Sequence, residues 1–133
     1  MRKILFICRH NKFRSKVGEA IFNKLNKNKT IVAESAGLIG SDNPTPKNVV
    51  NVLKERSYKV SRMDARRVDK NSINDYSVLI IVADNVDPKF FEDSFRGRVV
   101  WWKVSDCSED DVEGITERVE DIEKRVKGFI DDI

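Results

Sequence analysis

Residues 4–15 read ILFICRHNKFRS, and a change of pattern inside them sets the architecture. Ile4-Leu5-Phe6-Ile7 is a continuous apolar run rich in strand formers, the mark of a strand buried on both faces. From Ser15 the period changes. Val17, Ala20, Ile21 and Leu25 fall on one helical face, with Asn28 as a stop. Between strand and helix lies a short loop holding one of the chain's two cysteines, its single histidine and two arginines. A cysteine that only packs in a core needs no cationic company, whereas a thiolate or a bound anion does.

The same alternation continues downstream. Thr30 to Ala36 reads as a second strand, and Gly37 to Pro46 as a loop with two glycines and two prolines. Thr45 is placed to cap a helix that starts at Pro46, with Val49, Val50, Val52 and Leu53 as its apolar side. Val60 to Val68 is basic and irregular. Ser77 to Ala83 is the clearest buried strand, Asp87-Pro88 opens a short helix through about Ser94, and Val99 to Trp102 is a fourth strand. After an acidic loop at 106–111, Val112, Ile115, Val119, Ile122, Val126, Phe129 and Ile133 recur every three or four residues. That stripe predicts a long amphipathic helix packed on a sheet. Strands alternating with helices predict a parallel α/β sheet with helices on both faces. Ligands of such sheets bind beyond the carboxyl ends of the strands, where residues 8–15 lie.

A chain of 133 residues suits one domain, spanning 1–133, with one core. Its net charge of +3, from 25 basic and 22 acidic residues, is too small to argue for nucleic acid. Basic residues crowd the N-terminal end, which fits a local anion site. Cys8 and Cys107 make no disulfide framework and have no histidine at ligand spacing, so neither metal nor cofactor is expected. The apolar run at the start is too short for a secretory segment or a membrane span. The cytoplasm is the expected compartment, and a monomer the expected state.

Five residues separate Cys8 from Arg14, and Ser15 follows at the helix start. A loop of this length can curl so that main-chain N–H groups point inward as an anion nest, with the helix N-terminus adding its own. Arg14 can grip two phosphate oxygens through its planar fork, and Ser15 can donate to the sulfur. A helix end contributes on the order of 1 kcal/mol toward an anion. Each hydrogen bond to a charged group contributes roughly 1.5–3 kcal/mol. Together these suffice to favour a nucleophilic thiolate.

Cys8-Arg9-His10-Asn11-Lys12-Phe13-Arg14-Ser15 resembles the phosphate-binding loop of the low-molecular-weight protein tyrosine phosphatases, Cys-x-Gly-Asn-x-Cys-Arg-Ser after the first strand. Related arsenate reductases share it. Glu34-Ser35-Ala36-Gly37, Tyr58-Lys59-Val60-Ser61 with Arg66, and Val82-Ala83-Asp84 resemble later segments of the family in the expected order. The resemblance implies a sheet of strand order 2-1-3-4 and a metal-free phosphomonoester hydrolase acting on phosphotyrosine proteins or small phosphomonoesters. Cys8 would become a phosphocysteine. Arg9, His10, Asn11, Lys12, Phe13, Arg14 and Ser15 would form the phosphate site, with Asn11 in a left-handed conformation.

Two departures stand out. His10 replaces the family glycine, which calls for a strained backbone or a reshaped loop. It reads as an exposed bystander, a charge near phosphate, or a gate. Phe13 replaces the second cysteine, so no disulfide forms within the loop. For the proton donor, Asp106 has the expected place after the fourth strand although Cys107 replaces the usual proline. Asp87-Pro88 has the dipeptide but follows the third strand. Position favours Asp106, and Glu109, Asp110 and Asp111 read as solvated loop acids. Cys107 is an inert thiol or an oxidative partner of Cys8.

Leu38 and Ile39 are expected as an apolar wall, Arg9 and Lys12 as cations at the mouth, and Trp101 and Trp102 as packing. Rival readings are an arsenate reductase with Cys107 as resolving thiol, a phosphocysteine carrier that would not need Arg14, and a phosphate-binding module without turnover.

Overall fold

In the computed structural model, which describes residues 2–133, four parallel strands form one sheet. They are β1 (Arg2–Cys8), β2 (Ile31–Gly37), β3 (Val78–Val82) and β4 (Arg98–Trp102). Their order is β2-β1-β3-β4, as the resemblance implies. Cys8 lies opposite Gly37, so the loop after β1 leaves beside the end of β2.

Period-two alternation divides the core. Ile4 and Phe6 of β1 and Ile80 and Val82 of β3 meet three α-helices: α1 (Arg14–Leu25), α2 (Lys47–Glu55) and α3 (Val112–Asp132). Val17, Ile21, Leu53, Val119 and Val126 fill this layer, and Trp102 packs among Phe6 and Phe129. Leu5, Ile7, Leu79 and Ile81 face the other way, onto Ile73, Phe91 and Phe95. Helices thus cover both faces unequally, since the second carries short 3-10 helices at Ile73–Asp75 and Pro88–Phe91. None of the described helices is long and apolar enough to cross a membrane.

The expected cap on α2 is a correction. The helix starts at Lys47, with Pro46 at the capping position and no side-chain bond. Thr45 is buried and gives its N–H, at 2.9 Å, and its hydroxyl, at 3.3 Å, to the Met63 carbonyl. That tie across two loops satisfies Thr45 away from the helix end. Val49, Val52 and Leu53 are buried, whereas Val50 is half-exposed. The helix closes with Ser57 at φ 67, its N–H on the Lys54 carbonyl and the Tyr58 N–H on Leu53, a Schellman arrangement. In α3 the middle of the stripe is buried, while Val112 and Ile133 at its ends are exposed.

Two tyrosines tie the layers together. Tyr58 donates to Glu123 of α3, and Tyr76 donates to Glu34 of β2, each at 2.5 Å. Burial first, then the carboxylate each one serves, pushes both phenols up to about 12. A folded-state value above the unfolded one gives stability that is complete below about pH 10 and lost as pH rises through 12. Urea midpoints should therefore fall between pH 10 and 12, and Tyr58→Phe with Tyr76→Phe should flatten that fall. An equally steep decline in the double variant would remove these phenols as its cause.

Candidate active site

Cys8 ends β1 with its side chain buried, and its Sγ lies 2.9 Å from Ser15 Oγ in the first turn of α1. Between them the chain reverses through Asn11 at φ 57. Few L-residues accept that conformation, and Asn is one of them. The fully buried Asn11 amide uses all its capacity. Its Nδ2 donates to Ser15 Oγ at 2.8 Å and Ser35 Oγ at 3.0 Å. Its Oδ1 accepts from Arg62 Nη2 at 3.0 Å and the Arg66 main-chain N–H at 2.9 Å.

Donor sense follows from this. An amide NH2 can only donate, so both serine oxygens accept from Asn11. Ser35 gives its own proton to Glu19 Oε1 at 2.5 Å, and Ser15 has its proton to give to the Cys8 sulfur. Lys16, equally buried, donates to the Arg62 and Asp64 carbonyls at 2.7 Å each, and so fixes the segment that carries the arginines. Burial and then Arg62 lower the Lys16 ammonium to about 8, with Glu19 and Asp64 opposing. Gly37 lets the loop lie on β2, since a Cβ there would stand 2.7 Å from the His10 carbonyl carbon and 2.8 Å from the Asn11 nitrogen. The N–H groups of His10, Asn11, Lys12 and Phe13 donate to no group among the described residues.

Arg14 crosses to the far strands. It is 2% exposed, donates to the Val104 carbonyl at 2.9 Å and to Asn85 Oδ1 at 3.1 Å, and lies 3.5 Å from Asp84 Oδ1 and 3.9 Å from Asp106 Oδ2. Its guanidinium therefore sits where β3 and β4 end. Two of its five N–H groups are committed to those oxygens, leaving three.

A cavity of about 100 Å³ opens here, lined by Cys8, His10, Arg14, Asp106 and Cys107 and walled by apolar side chains. Asp106 Oδ1 accepts the Cys107 N–H at 2.9 Å. Arg118 of α3 grips the same loop, reaching the Ser105 carbonyl at 3.1 Å, Ser105 Oγ at 3.0 Å and the Asp106 carbonyl at 3.2 Å. Burial pushes the Cys107 thiol up. Among the described residues no group of three or more His, Cys, Asp or Glu side chains is placed to hold a metal ion.

The structure gathers Cys8, His10, Lys12, Phe13, Arg14 and Asp106 at this cavity, with Asn11 and Ser15 behind it. Arg9 does not line it. Its carbonyl accepts the Ile39 N–H, which pins the loop instead. His10 keeps a negative φ, so the expected strain falls on Asn11 alone within the loop. The Leu38–Ile39 wall is a correction. Leu38 packs under the sheet, Ile39 points to solvent, and Phe13, Pro46, Val49 and Ile115 form the wall. Asp87 caps the Pro88–Phe91 turn by accepting the Lys89 N–H, and it lies outside the cavity lining. Asp111 is no free loop acid either, because it caps α3 through Gly114.

Glu19, Asn85, Arg62 and Arg118 also shape the site, and no sequence pattern singles them out. Arg62 sits in the basic stretch at 60–68, but Arg118 is one charge among many on a helix, with no signal in sequence.

The chain matches the model of the low molecular weight phosphotyrosine protein phosphatase family over residues 3–133. A low molecular weight protein-tyrosine-phosphatase of Bacillus subtilis, YfkJ, is 32% identical over 93 residues, 65% of this chain but only 60% of that relative. An arsenate reductase from Archaeoglobus fulgidus superposes with a TM-score of 0.79 at 27% identity, over 96% of this chain and 98% of that one. The phosphatase of T. tengcongensis shares the fold across the whole of both chains, at a TM-score of 0.81 and 20% identity.

Asn11 should dominate the loop's stability. Asn11→Ala loses the left-handed tolerance and strands buried partners, for a cost of about 3 kcal/mol in urea unfolding. Asn11→Gly keeps the backbone freedom and should cost about 1 kcal/mol less. Equal losses would show that backbone conformation plays no part.

Proposed function

The chain belongs to the low molecular weight phosphotyrosine protein phosphatase family, and from that premise we propose that it hydrolyses phosphomonoesters, phosphotyrosine in proteins foremost, through a phosphocysteine on Cys8. The supporting observation is the placing of the Cys8 sulfur, 2.9 Å from the Ser15 hydroxyl, in one cavity with Arg14 and Asp106.

Ser15 donates to the Cys8 sulfur and favours its anion, and the sulfur attacks phosphorus in line. Free N–H groups of residues 10–13 and the three spare donors of Arg14 receive the charge on the phosphoryl oxygens. Asp106 gives its proton to the leaving oxygen. The S–P bond is then cut by water, with Asp106 taking the proton back and inorganic phosphate leaving. Cys8 and Cys107 are both free thiols, which suits a reducing compartment such as the cytoplasm.

The likeness to an arsenate reductase favours one second reading. Cys8 would attack arsenate, forming a sulfur–arsenic bond as one arsenic–oxygen bond breaks and that oxygen leaves, protonated, as water. The Cys107 thiolate would attack the Cys8 sulfur, and the arsenic–sulfur electron pair would leave with arsenite, making a Cys8–Cys107 disulfide. Both cysteines line the cavity.

p-Nitrophenyl phosphate separates the cases. Cys8→Ser should abolish turnover, and Arg14→Ala should lower kcat/KM about a thousandfold. Asp106→Asn should slow esters of poor leaving groups about a hundredfold and p-nitrophenyl phosphate less. Asp87→Asn should change neither. Turnover surviving in Cys8→Ser overturns the mechanism. Arsenate-dependent loss of two thiols, with no phosphate release from any ester, establishes the second reading instead.

A further inference from the structure

The cavity at Cys8 does not end at its mouth. Lys12, Pro46 and Glu109 also line a groove of about 550 Å³ that runs over the start of α2, past Asn43, Lys47, Val50 and Met63. Val50 and Met63 in turn line a third hollow of about 520 Å³, bounded by Lys54, Tyr58 and Lys59. Shared walls make one trough from the cysteine along α2.

Its chemistry is uneven in a telling way. Lys47, Val50 and Lys54 stand at i, i+3 and i+7, on one helical face. Lys59 follows just past the Schellman turn. Among the described residues Lys47, Lys54 and Lys59 belong to no ion pair. Glu109 is, among the described residues, the sole carboxylate lining the trough beyond the mouth, and it already faces Lys12 at 4.0 Å. The floor between the lysines is apolar: Val50 is half-exposed and Met63 is 44% exposed. A helix of nine residues is about 13 Å long, the reach of roughly four residues of extended chain.

We propose that this trough seats an acidic stretch of a protein substrate, with interspersed apolar side chains, on one side of its phosphorylated residue. The proposal rests on the hydrolase reading above for the seat of the phosphate. Carboxylates of the substrate pair with the lysines, and apolar side chains cover Val50 and Met63. A small phosphomonoester reaches the cysteine without touching the trough, so it gains nothing from it.

The test uses fluorescent phosphotyrosine peptides carrying Glu and Leu on the N-terminal side, on the C-terminal side, or replaced by Ser. Binding to Cys8→Ser should favour one acidic peptide over the Ser peptide about tenfold at low salt, a preference that fades as salt is raised. Lys47→Glu, Lys54→Glu and Lys59→Glu together should erase it, and the Gln versions should halve it or more. In the active enzyme the same triple change should lower the kcat/KM ratio of acidic peptide to p-nitrophenyl phosphate by a similar factor. Equal binding of all three peptides, or a preference untouched by the triple change, overturns the proposal while leaving the hydrolase in place. An intact peptide preference in a protein that turns over no ester supports the trough and removes the hydrolase.

Discussion

The site depends on one buried amide. Asn11 holds a backbone conformation that most residues resist, and four hydrogen bonds hold Asn11. These bonds reach the first turn of α1, the end of β2 and the basic segment at 62–66, so three parts of the chain must fold before the loop has its shape. Such a network is costly to leave half made, because each stranded polar group then sits unpaired in a low dielectric. Full satisfaction is what makes the loop rigid. That rigidity keeps the donors of residues 10–13 from collapsing onto the chain's own carbonyls.

Arg14 solves a second problem of placement. A guanidinium at a helix start would ordinarily swing in solvent. Here it is drawn across the carboxyl edge of the sheet by the Val104 carbonyl, Asn85 and Asp84. Those groups come from the segments just after β4 and β3, which a parallel sheet delivers to the same edge as the loop after β1. The charge of Arg14 is thus balanced by the ends of two other strands, and burial adds no unpaired cation.

Much of this was legible in the sequence. Continuous apolar runs marked β1 and β3, and the three-to-four spacing marked α3, because burial imposes those periods directly. Cys8, Asn11, Arg14 and Ser15 were legible because they fall in one short stretch between the first strand and the first helix. The failures share a cause. Thr45 looked like a cap, yet a distant carbonyl at Met63 claimed it. Leu38 and Ile39 looked like a wall, yet pairing of Leu38 and Ile39 with the loop backbone turned them away from the cavity. Arg118, Arg62 and Glu19 act through partners 12 to 51 residues away, and such pairings leave no local pattern.

The loop carrying Asp106 shows how one chain can replace a missing device. A proline after the acid would stiffen it by fixing φ. Cys107 cannot do so, but it keeps an N–H, and that N–H donates to Asp106 Oδ1, turning the carboxyl by a bond proline could not offer. The stiffness comes from elsewhere: three donors of Arg118 hold Ser105 and the Asp106 carbonyl against α3, and Asp111 fixes the start of that helix. Rigidity supplied by an arginine fork depends on the packing of α3 against α1 and α2, whereas that of a proline is local. The acid is therefore coupled to the core in a way a proline would have spared it.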